Sequence, residues 1–187
     1  MKYGRRTMKK TVTLYNVIIP VWLLFVFPPV WPIILAGNFG IDSLVLYIGM
    51  RRLEIEDKKA FYKKHILKIW GCGFLGDLPG VLFMFLAILL GDWTRNNGGV
   101  NAEQSTLHNF IYENLTNTVP LNPFSNIWSF LWTTAAVAIS AACLYWLNYK
   151  LCYRKTDLEG WQKKRISRLT AIITAPWLFY LPTQWFY

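Results

Sequence analysis

Acids are scarce in this sequence: ten Asp and Glu stand against twenty Lys and Arg, with only two His and three Cys among 187 residues. Each shortage excludes something. Three cysteines (Cys72, Cys143 and Cys152) without a C-x-x-C pair support neither a disulfide framework nor a zinc site, and they read as packing residues. The two histidines, His65 and His108, fall in segments expected on opposite sides of a membrane and cannot share a metal. H-E-x-x-H, G-x-S-x-G, the phosphate-binding P-loop and G-x-G-x-x-G are all missing. No enzyme, cofactor or metal is therefore expected. Asp42 and Asp77 as an intramembrane aspartyl protease is the least implausible catalytic reading, and the usual sequence contexts of such proteases are lacking.

What the chain has in abundance is apolar residues, 54% of the total, gathered into blocks. The blocks run over about residues 11–27, 30–50, 66–90, 127–147 and 169–187, with nearly all the Lys and Arg between them. Such lengths match the roughly 20 helical residues needed to cross a hydrocarbon core of about 30 Å. The expectation is an all-α fold, a polytopic transmembrane helical bundle forming a single membrane domain over 1–187. The first two blocks meet at Pro28-Pro29-Val30-Trp31-Pro32, where adjacent prolines cannot continue a helical hydrogen-bond ladder.

Charge placement sets the number of crossings. Lys plus Arg count five in the N-terminal arm, none at the proline turn, six in 51–65, one in 91–126 and seven in 148–168, with Lys68 just inside the third block. That alternation fits five spans with the N-terminus cytoplasmic and the C-terminus outside. Merging the first two blocks into one kinked span breaks the alternation. The first block is followed by no small-x-small cleavage pattern and reads as an uncleaved signal-anchor. Because orientation accounts for the net charge of +10, nucleic acid is not an expected partner. The cytoplasmic basic clusters are expected to meet anionic headgroups, each charge contributing about 1 kcal/mol near the surface.

Two segments between blocks carry helical signals. In the outer loop 91–126, Leu107, Phe110, Ile111 and Leu115 recur at helical spacing and suggest a packed cap. In 51–65, Glu54 precedes Lys58 by four residues, a weak helix-supporting pair. The fourth block, rich in Ala, Ser and Thr, reads as the central helix of the bundle.

The candidate centre is a pair of acids inside the oil. Asp42 lies eight residues from the inner end of the second block and Asp77 eleven into the third, or about 12 and 16 Å deep. A carboxylate there costs about 2.5–3.5 kcal/mol on insertion scales, so it should face the bundle interior and find a partner. Asn38 lies one turn from Asp42, and Ser43 adjoins it. All four are candidates for binding a proton or an ion. Ala36-x-x-x-Gly40 and Cys72-x-x-x-Gly76-x-x-x-Gly80 offer small residues at four-residue spacing, which permits close helix packing. Pro79 removes a backbone hydrogen bond and frees the Leu75 carbonyl near Asp77. The leading reading is a structural or accessory subunit of a membrane assembly, with a homo-oligomer or another membrane protein as partner. The alternative is a proton- or cation-coupled transporter or channel using Asp42 and Asp77.

The blocks "LYNVIIPVWLLFVFPPVWPIILAGNFGIDSLVLYIGM", "NPFSNIWSFLW", "NYKLCYRKTDLEGWQKKR" and "TAPWLFYLPTQWFY" resemble a group of small uncharacterised integral membrane proteins of Gram-positive bacteria. The resemblance implies a bacterial plasma-membrane location. It brings no activity and no functional residues.

Overall fold

The computed structural model describes residues 31–97 and 106–186. The first expected span, 11–27, and the proline turn up to Val30 lie outside the described residues. Among those described, every regular element is helical.

Helix α1 spans Trp31–Arg52, close to the expected 30–50, and closes on Arg51 and Arg52, whose charges suit a helix C-terminus. The chain then turns sharply. Ile55 N–H donates to Met50 O at 3.1 Å and Glu54 N–H to Arg51 O at 3.4 Å, while Glu54 takes φ 53°. This is a Schellman cap with glutamate at the left-handed position that glycine usually occupies. The Glu54–Lys58 helical pair expected from sequence is therefore absent, because the chain reverses between the two residues.

Helix α2, Lys58–Asn97, has 40 residues, or about 60 Å. It exceeds the expected 66–90 at both ends, since no Gly or Pro interrupts 58–65 and Asp57 caps the start by accepting from Ala60 N at 3.1 Å. The helix runs through Pro79. Helix α3 (Thr106–Ile111), a π turn (Tyr112–Thr116) and α4 (Thr118–Leu121) then cover the far end of α2. Thr116 Oγ1 donates to Ala87 O at 2.9 Å, and Thr94 Oγ1 meets His108 Nδ1 at 3.0 Å. The segment is a packed cap, but its inward face differs from the expected one. His108 is buried while Leu107 and Phe110 are exposed, because the π turn shifts the register before Leu115 and Val119 reach the core.

Helix α5, Ile127–Leu147, matches its expected block; Asn126 caps it by accepting from Ser129 N at 2.9 Å. Ser129, Thr133, Ala136, Val137, Ser140 and Leu144 form its buried face, and it packs along α2. It is the central helix the small residues suggest. A π turn, Asn148–Cys152, extends its end.

The last block departs most from expectation. Helix α6 spans Gly160–Ile173, and two short 3-10 turns follow at Trp177–Tyr180 and Thr183–Phe186. There is no continuous helix over 169–187, because Pro176 and Pro182 each stop the ladder just before a 3-10 turn. The segment still runs the length of the bundle. Ile166 packs in the cluster that holds Leu53 and Tyr153, whereas Thr183 Oγ1 donates to Pro120 O at 2.7 Å beside α4.

Two cores result. One gathers Leu46, Met50, Ile69, Cys72, Leu147 and Tyr153, and the other gathers Val81, Met84, Ala87, Val119, Val137 and Phe179. Helices α2 and α5 are long and apolar enough to cross a membrane. A row of leucines along α2 (Leu75, Leu78, Leu82, Leu86 and Leu89) stays exposed.

Glycine sets the α2–α5 distance. A Cβ on Gly76 would stand 2.6 Å from Leu144 Cγ, and one on Gly80 would stand 2.8 Å from Ala136 O and also strike Ser140 Oγ. Gly80→Val is expected to lower the thermal midpoint of the purified protein, at a cost of about 1–3 kcal/mol. Gly40→Ala, with no described residue within 4 Å of the added methyl, is expected to leave it unchanged or slightly higher. Glu54→Gly relieves the left-handed backbone and is expected to raise stability by about 0.5–1 kcal/mol, read in the same unfolding measurement.

Candidate buried carboxylate centre

The two acids lie between the cores. Asp42 is 4% exposed and Asp77 is 7% exposed, so α1 and α2 both turn a carboxyl group away from the surface. Asp42 approaches α2 at Gly73, where an added Cβ would stand 3.5 Å from Asp42 Oδ2, an ordinary contact distance. Asp77 lies one turn further along α2, within electrostatic reach of Asp42. Its neighbours on α2, Gly76 and Gly80, are the positions pressed against α5, which places Asp77 at the level of closest helix contact. Ser140 of α5 touches the Asp77 backbone, Oγ donating to the carbonyl at 3.4 Å.

The carboxyl of Asp77 is incompletely supported. Its Oδ1 is buried with no hydrogen-bond partner among the described residues. Four other side-chain oxygens share that condition: Thr133 Oγ1, Asn148 Oδ1, Tyr153 Oη and Ser167 Oγ. Interiors normally satisfy such groups, so each calls for an explanation. Tyr153 is fully buried beside His65, with ring centroids 6.3 Å apart. Burial pushes its phenol above the ordinary tyrosine range, which keeps it a neutral O–H.

The remaining candidates divide. Asn38 is half-buried one turn before Asp42. Ser43 turns to other partners: its Oγ donates to Phe39 O at 2.7 Å, and with that hydrogen spent it accepts from Tyr62 Oη at 2.9 Å. Gly76 and Gly80 are packing positions as expected. Ala36 and Gly40 are exposed and bring no described helix close, so that motif does not pack against the acids. Cys72 does more than fill space, since Cys152 Sγ lies 3.1 Å from its own sulfur; all three cysteines are free thiols.

Several residues at the centre escaped the sequence reading. Gly73, Ser140 and Tyr153 carry no spacing signal that ties them to Asp42 or Asp77. Gly73 alone had a visible cue, in the glycine-rich run Gly71-Cys72-Gly73. His65 is held by its Nδ1–H, which donates to Phe61 O at 2.8 Å, and by a ring contact with Phe61 at 4.3 Å. Among the described residues no three His, Cys, Asp or Glu side chains gather closely enough to hold a metal ion.

Compared with protein-family models, with curated proteins and with solved structures, the chain matches none of them. The centre must be read from its own chemistry.

Asp77→Asn keeps the shape of the side chain and replaces the titratable carboxyl, which no described group pairs with, by a neutral amide. It is expected to accumulate in cells at the parent level, as is Asp42→Asn. Immunoblots of fractionated cells check this; loss of either variant would show that the bundle needs the charge in order to assemble.

Proposed function

We propose that this chain is a multi-pass protein of a bacterial plasma membrane whose Asp42–Asp77 centre binds and releases a proton or small cation, as a coupled carrier or channel does. One observation carries the reading. Two buried acids, one on α1 and one on α2, lie within electrostatic reach of each other, and Asp77 Oδ1 has no hydrogen-bond partner among the described residues. A polar lock between helices works by satisfying its groups, and a half-satisfied one is worse than an apolar contact. Acids at mid-membrane that lack such bonds suit exchange with a mobile ion better than fastening. Pro79, two residues from Asp77, removes one backbone hydrogen bond from the otherwise continuous α2 and so leaves a carbonyl unpaired near that acid.

Five crossings with a cytoplasmic N-terminus remain the topology we favour. The basic segments support it, as does the lengthwise course of residues 160–186. The inner surface is then the one bearing the α1–α2 turn, the π turn after α5 and the start of α6. The four sequence blocks that resemble Gram-positive membrane proteins support the location.

The accessory-subunit reading keeps one observation of its own, the exposed leucine row on α2. A partner helix would cover that row, whereas lipid covers it equally well in a monomer.

Reconstituted vesicles with a trapped pH dye decide between the two. Under an imposed cation gradient the parent protein is expected to move protons or the cation, Asp77→Asn to fall to the protein-free background, and Asp42→Asn to lose most of the flux. No flux with any of several monovalent cations would remove the transport reading and leave the subunit reading, for which co-purification of a partner is the next measurement.

A further inference from the structure

We propose that the groove between the C-terminal end of α1 and the side of α6 is a binding site for one anionic phospholipid, its phosphate held by Arg52, Arg165 and Arg168. This rests on the membrane reading above and is independent of ion binding at Asp42 and Asp77. The three arginines, drawn from two helices, line a cavity of about 260 Å³ whose wall contains no carboxylate. Guanidinium groups present flat donor pairs that match phosphate oxygens, a fit that lysine lacks.

The rest of the wall is oily: Gly49, Leu53, Ile166, Leu169 and Ile172. Free phosphate gains nothing from such a surface, whereas a glycerol ester with acyl chains covers it. The order of polarity agrees along both helices. On α6 the arginines at 165 and 168 precede Ile172 by a turn or two; on α1 Arg52 follows Gly49 by nearly one turn. Charge thus lies at the end that bears the basic segments, and apolar side chains lie deeper, as phosphate lies above acyl chain in a leaflet. Gly49 lets the two helices close together at the floor of the groove, for a Cβ there would already stand 3.1 Å from Ile166 Cγ1. The volume is below the roughly 300–1,000 Å³ of sites that enclose a whole small molecule. It suits a headgroup and the first methylenes, with the chains continuing into the bilayer.

Helix α6 is built for this position. Its buried side is Ile166, Ser167, Thr170 and Ala171, while Lys164, Arg165 and Arg168 stand exposed beside the apolar Ile172 and Ile173. A helix of that pattern lies at a headgroup boundary.

The test is native mass spectrometry of the full chain released from micelles doped with equal phosphatidylglycerol and phosphatidylcholine. The parent is expected to retain one phosphatidylglycerol in about tenfold preference over phosphatidylcholine. Arg165→Gln with Arg168→Gln is expected to bring the two lipids near parity, and Arg52→Gln, on the other helix, to lower the preference as well. Lys63→Gln with Lys64→Gln removes the same charge from the neighbouring basic segment and is expected to leave it intact. Parity in the parent overturns the proposal. So does an equal loss in the lysine variant, which marks diffuse attraction, or displacement of the lipid by millimolar inorganic phosphate, which marks a soluble-anion site. Carbonate washing of cell membranes tests the membrane reading separately: release of the protein removes that reading, whereas a wash-resistant protein without lipid preference removes only this one.

Discussion

At Gly76 and Gly80 the backbone of α2 approaches α5 so closely that a single methyl group would strike Leu144, Ser140 or the Ala136 carbonyl. The rest of the bundle follows from that contact. Helices in an apolar surrounding gain little from hiding oil from oil, so they associate through close van der Waals packing and the hydrogen bonds that proximity allows. With α2 and α5 locked side by side, the Trp132 indole reaches the Phe83 carbonyl at 3.1 Å and stacks on its ring at 4.5 Å. The π turn after α5 then lays Cys152 against Cys72, and α6 folds back over the same end.

The same contact creates the problem that defines the protein. Asp77 sits in the tight stretch of α2, where nothing larger than hydrogen fits at Gly76 and Gly80, and little room remains for side chains that might support a carboxyl. Asp42 meets the same helix one turn earlier, beside Gly73. Two acids are thus held in apolar surroundings by the geometry that packs the helices, and Asp77 Oδ1 has no hydrogen-bond partner among the described residues. Such an arrangement costs a few kcal/mol in a molecule stable by only about 5–15 kcal/mol. The arginine-lined groove at the basic end has a different origin: amphipathic α6 meets the capped end of α1 where charge and oil adjoin.

The outline of the bundle was legible where composition changes abruptly. The boundaries of α1 and α5 follow from apolar runs closed by Arg51-Arg52 or opened by Asn126. Glycines four residues apart marked α2 for close helix packing, but that α5 is the helix they meet came only from the structure. The ends of α2 were hidden, because a charged segment such as Lys58–His65 extends a helix as readily as it forms a loop. The Schellman turn at Glu54 was invisible, since its usual signal is glycine. In the last block the prolines were plain in sequence. That they divide it into α6 and two 3-10 turns was not, because a proline-kinked helix and a broken one are written with the same residues.

Sequence alone determined which residues avoid water, where the charges gather and which two acids lie within apolar blocks, because these depend on composition along a single chain. Only the tertiary structure decided that Asp42 meets α2 at Gly73, that Ser43 leaves the centre for Tyr62, that Ala36 and Gly40 bring no described helix close, and that Arg52 shares a groove with Arg165 and Arg168. Such relations depend on how each helix is rotated about its axis. That rotation is set by side-chain packing summed over all its neighbours, and no periodicity within one segment records it.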